Sequence, residues 1–200
     1  DGKIAGGQFP WPQGGIVDLQ SGKWKKLADG CWPALAPDNS YIYWIFDGQH
    51  RNVYMHDWKN GEQWKLNINR APGIGGYEVY HPRWSNHVRY LTMTGPFKEG
   101  GGDNRIRGGG KAVEVYIGKM TPDLTQVESW QRISRNDKGD FYPDVWIAGG
   151  EKAVAKNYGP NRRDPADAER KAVAIEEGEW PGSHDGLVYF WRSANETNQI

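Results

Sequence analysis

Cysteine is almost missing from this sequence: Cys31 is the one thiol among 200 residues. That excludes an internal disulfide and any zinc site built on several cysteines. An excess of charge is missing too, since 25 Lys and Arg balance 25 Asp and Glu. With no dominant basic run, nucleic-acid binding is excluded as the main role. No stretch approaches the roughly 20 apolar residues of a membrane-spanning helix. Aliphatic side chains are scarce, Leu, Ile, Val and Phe together making 35 of the 200 residues. So low a share signals disorder only beside a large net charge, and the net charge here is zero.

What is present fills that gap. Eleven Trp and ten Tyr supply apolar surface, each ring burying roughly 150–250 Å². With 27 Gly and 12 Pro, the composition describes a folded, turn-rich chain with an aromatic core. Residue 1 is Asp and no signal peptide is visible, so the expectation is a mature product or a fragment.

The chain repeats itself. Its best-formed unit runs from Leu27 to Ile68. Cys31 to Leu35 is an apolar run marked by Pro33, and Pro37-Asp38-Asn39-Ser40 reads as a tight turn. Tyr41 to Phe46 is aromatic and β-branched, as a buried strand requires. Asp47-Gly48 opens another turn, and Asn52 to His56 makes a third strand. Lys59-Asn60-Gly61 is a hairpin turn, and Gln63 to Ile68 a fourth strand. His81-Pro82-Arg83-Trp84-Ser85-Asn86 restarts the pattern, followed by Val88–Thr94, Val113–Lys119 and Ser129–Ile133. Tyr142-Pro143-Asp144-Val145 starts it again. The marker prolines Pro33, Pro82 and Pro143 are therefore 49 and 61 residues apart. Ile16 to Leu27 aligns with the third and fourth strands of the full unit, and Leu187 to Ile200 with Tyr41 to Tyr54.

Four-stranded units of about 40–50 residues are the signature of β-propeller blades. The run Pro33-Ala34-Leu35-Ala36-Pro37-Asp38 resembles the blade motif of TolB-like, or WD-like, propellers, with Asn39 where that motif has glycine. Pro82 to Asn86 fits in part, and Pro143 to Trp146 keeps the opening alone. The expected fold is all-β: a propeller segment of antiparallel four-stranded blades, two complete and two partial. Residues 16–27 end one blade, 28–68 and 77–133 are whole blades, and 141–200 are a partial blade interrupted by 148–185. Because propellers close with about 4–8 blades, the expectation is that the same chain or other chains supply the remainder.

Two insertions break the pattern. Lys98 to Gly110 carries six glycines in thirteen residues. It reads as a surface loop, or as a backbone cradle for an anion. In the second insertion, Asp164-Pro165 leading to Gly178 is helix punctuation and predicts a short surface helix on a solvated excursion.

The resemblance implies a shared loop face around a central channel, which would gather Asp47, Gln49, His50 and Arg51. His50 and Arg51 are ligand-binding candidates; the alternative is that they bond the turn they occupy. His81 stands where neighbouring copies have Trp32 and Tyr142, a variation suited to channel-facing positions. Arg83 and Asp144 share one repeat position, where the first copy has Ala34, and predict an ion pair or a ligand clamp near the channel. No His-x-His or His-Glu-x-x-His spacing occurs, so no metal and no cofactor are expected. No Gly-x-Ser-x-Gly elbow is present, and Cys31 reads as an inert, buried thiol. Most tryptophans fall at repeat-matched positions, as packing between blades requires; Trp11, Trp58 and Trp180 remain available for a sugar face.

The expected role is a non-catalytic binding or scaffolding module of a periplasmic or extracellular protein, with a protein or carbohydrate partner at the channel mouth. The rival expectations are part of a propeller enzyme acting on polysaccharide, and a structural subunit packing through its blade edges.

Overall fold

The computed structural model describes residues 2–98, 109–155 and 158–161, and the backbone of 187–192. The described residues are nearly all β. Three strands, β1 (Ile4–Gln8), β2 (Gln13–Asp18) and β3 (Trp24–Asp29), form one sheet in the order β1-β2-β3. Four more, β4 (Cys31–Leu35), β5 (Ile42–Phe46), β6 (Asn52–Asp57) and β7 (Gln63–Asn67), form a second sheet in chain order. A third four-stranded sheet holds β8 (Glu78–Trp84), β9 (Tyr90–Phe97), β10 (Glu114–Met120) and β11 (Val127–Arg132), again in chain order. Finally β12 (Asp140–Trp146) pairs with β13 (Leu187–Arg192) across the long insertion. Every pairing is antiparallel. The first strands of successive sheets, β4, β8 and β12, lie side by side, as the inner strands of adjacent propeller blades do.

The first sheet departs from expectation. The alignment predicts two strands within 16–27, whereas the sheet has three. Strand β1 reads Ile-Ala-Gly-Gly-Gln, and its glycines carry no β signal. Their reason is a close approach: a Cβ on Gly6 would stand 2.5 Å from the ring of Tyr43, which is fully buried between the first two sheets.

Large rings make the core, as the composition implies. Trp44 and Trp84, from neighbouring blades, stack with centroids 4.1 Å apart and planes 6° apart. Each indole N–H is satisfied on the main chain: Trp44 donates to Trp32 O and Trp84 to Val88 O. Trp64 ties the same two blades at the far end by donating to Leu124 O at 2.8 Å.

Strands β5 and β9 end at the loop end of the molecule that holds the turn 47–51. The opposite end carries the turns around 38, 60, 86 and 123. Residues 147–155 and 158–161 run across this second end rather than out into solvent. Asn86 clasps Ile147 through both its N–H and its C=O. The Ala155 N–H then donates to Asp38, Gly159 N–H to Asp123 O, and Asn161 to Glu62. Ala155 is buried, and Tyr158 packs on the main core. This first part of the insertion is therefore a strap joining the blades. The predicted helix over 164–178 lies outside the described residues, as does most of the glycine-rich segment.

Candidate functional site

The inner strands share one irregularity. Cys31 opposes Phe46 and Ala34 opposes Trp44, so β4 spends three residues where β5 spends two. The same extra residue appears between Tyr80 and Arg83 on β8, and between Phe141 and Asp144 on β12. Each is a β-bulge, a device that re-aims a side chain. Each falls on a ring followed by proline: Trp32-Pro33, His81-Pro82 and Tyr142-Pro143. All three ring residues are left-handed, with φ of 48°, 53° and 51°. Proline fits there because a bulge leaves a ladder N–H unused. A carbonyl at each bulge accepts from a side chain: Trp32 O from Trp44, Tyr80 O from Thr94, and Pro143 O from Thr92.

The three rings thus meet on one wall. Trp32 and His81 stand edge to face, with centroids 5.2 Å apart, and Tyr142 lies 4.2 Å from His81. Tyr80 and Phe97 pack behind His81, Phe141 beside it. His81 is buried, while Tyr142 remains 55% exposed.

Burial, and then the nearby Arg83 charge, push the His81 imidazole down to about 4. It is therefore neutral near pH 7, and its hydrogen bonds set its tautomer. The Thr94 hydroxyl stands between two partners, 3.2 Å from Tyr80 O and 2.9 Å from His81 Nδ1. When that hydroxyl donates to Tyr80 O it accepts from Nδ1, which then carries the ring proton and leaves the lone pair on Nε2; Nε2 makes no hydrogen bond among the described residues.

Arg83 and Asp144 meet at 3.5 Å, with both side chains about half exposed. A pair so open to water contributes about 0–1 kcal/mol. His50 joins through Tyr80, its ring 5.3 Å from both Tyr80 and Phe46, and its Nδ1 is 3.8 Å from Glu78. Burial lowers the His50 pKa, with Glu78 and Asp47 opposing. Arg51 serves its turn: its N–H bonds Asp47, and its guanidinium reaches Gln49 O and Gly76 O at 3.5 Å.

Sequence reasoning left Trp32, Tyr80 and Tyr142 out of the candidate set. The signal that finds Trp32 and Tyr142 is the ring-Pro dipeptide recurring at the same repeat position; Tyr80 carries no such signal. Of the tryptophans set aside for a sugar face, Trp11 is exposed on the 9–12 turn. Trp58 is packed in a small core at the opposite end, and Trp180 lies outside the described residues. The first two share no face. Cys31 is half-buried, and burial raises its thiol to about 11. No group of three His, Cys, Asp or Glu among the described residues is arranged to hold a metal.

The blade-type sheets and their inner-strand wall define a β-propeller module. No protein-family model matches the chain, and no curated protein matches it. Among solved structures it is similar to the crystal structure of TolB from Acinetobacter baumannii. The identity is 15% and the TM-score 0.43, over 70% of this chain and 32% of that one. It is also similar to the tricorn protease, at 14% identity and a TM-score of 0.45, over 72% of this chain and 13% of that one. The chain spans less than a third of the length of either. No helix among the described residues is long and apolar enough to cross a membrane.

Proposed function

We propose that this chain is a non-catalytic binding module whose ligand lies against the wall formed by Trp32, His81 and Tyr142. The observation that carries this reading is the threefold recurrence of a left-handed ring residue at a bulge. Such a residue costs about 1–3 kcal/mol, a strain that concentrates at ligand sites. A large exposed ring over a fixed aromatic bed suits binding. Catalysis is disfavoured because an imidazole near 4 is a weak base at neutral pH, and a thiol near 11 is not a nucleophile. His50 and Arg51 support the rim of this wall, and Arg83 with Asp144 borders it. A periplasmic or extracellular setting belongs to the same proposal.

The test is an array of immobilised oligosaccharides and peptides probed with labelled protein, wild type and Tyr142→Ala. The expected result is specific capture that Tyr142→Ala reduces at least tenfold, with an unchanged urea midpoint. Capture unaffected by Tyr142→Ala, or no capture by any member, would overturn the reading.

A further inference from the structure

The wall carries two kinds of group. One is an aromatic face, Tyr142 beside Trp32. The other is His81 Nε2, which carries a lone pair when the Thr94 hydroxyl donates to Tyr80 O and accepts from Nδ1. Charge is balanced here, because Arg83 is paired with Asp144. The ring faces and the lone pair repel an anion, and the Arg83–Asp144 pair leaves no net charge to hold an ion of either sign. A ligand that fits must therefore be uncharged, donate an O–H or N–H, and present an apolar face. A pyranose offers all three in one rigid unit, with C–H bonds on its face and hydroxyl donors at its rim. A peptide must order its backbone to do the same.

We infer that the wall takes a neutral sugar, with a hydroxyl donating to His81 Nε2 and the C–H face of the ring lying on Tyr142. This rests on the binding role proposed above and names its ligand class. His81 is then a contact residue, and Thr94 a positioning residue that holds the tautomer.

Two measurements test it. The first is a long-range ¹H–¹⁵N spectrum of the histidine rings at pH 7. The expected result is a protonated Nδ1 and a bare Nε2 for His81; a protonated Nε2 would overturn the inference without touching the binding role. The second is titration calorimetry with cellotetraose, maltotetraose, tetragalacturonate and the glucosamine tetramer. At least one neutral tetramer is expected to bind, and the charged ones more weakly. His81→Phe and Thr94→Val should each weaken that binding roughly tenfold, the loss of about one hydrogen bond, while Thr94→Ser retains it. Binding confined to the charged tetramers, or to peptides on the array and lost in Tyr142→Ala, would overturn the sugar but keep the binding wall. Failure of every tetramer and every array member would overturn both.

Discussion

Two histidines are buried as neutral rings for different reasons. His81 is held by Thr94 within the aromatic wall. His56, on β6, has no partner for either ring nitrogen among the described residues and is only 3% exposed. Burial pushes both down from 6.5 to about 4, aided by Lys25 at His56 and by Arg83 at His81. The unfolded chain therefore takes up protons first as the pH falls. Their contribution to stability is complete above about pH 6.5 and is lost as the pH drops towards 4, at on the order of 1 kcal/mol per pH unit for each ring. Urea unfolding between pH 4 and 8 measures this slope, and His56→Leu is expected to flatten it. At pH 7 the same variant should cost less than about 1 kcal/mol, because it removes two unpaired polar atoms with the ring. A pH-independent midpoint between 4 and 6.5 would contradict this account.

Among the elements, the inner strands were the most legible. The Trp/His/Tyr-Pro marker placed β4, β8 and β12, and alternation with turn residues placed β5 to β7. Strand β1 was not legible, because Gly6 and Gly7, which make room for the rings of Tyr43 and Phe9, suppress the local β signal. The bulges were not legible either. A bulge is a mismatch between two strands, and a single strand's sequence does not record its partner's register. The strap was hidden for the same reason, since Asp38 and Ala155 meet across 117 residues. Asp38→Ala removes the acceptor for the Ala155 N–H and for the turn N–H of Ser40. The expected cost is about 1–3 kcal/mol, with faster tryptic cleavage at Lys152 as the strap lifts. Unchanged cleavage would mean that the strap is held without Asp38, by Asn86, Asp123, Glu62 and the packing of Tyr158.

For the whole molecule, cohesion depends on how one blade meets the next. Blade arrays are stabilised by the units and by their interfaces, and among the described residues the Trp44–Trp84 stack is the closest ring contact between the two complete sheets. Trp84→Ala is expected to destabilise by about 3–5 kcal/mol. It should also lower the midpoint seen by probes in both sheets, because the interface couples them. Hydrogen exchange on β6 and β10 checks this, and a loss confined to one sheet would contradict it. By contrast, Arg83→Ala should change stability by less than about 1 kcal/mol in urea unfolding, since its ion pair is open to water.

The sequence by itself determined the strand order, the blade repeat and the use of Trp and Tyr as filling. These follow from local periodicity and from side-chain area, which every residue carries with it. Only the tertiary structure decided that Trp32, His81 and Tyr142 form one wall, that His81 turns Nε2 away from Thr94, and that residues 147–155 and 158–161 bind the blades together. Those outcomes depend on strand mismatch and on the angle between neighbouring sheets, and both are properties of pairs of segments distant in the chain.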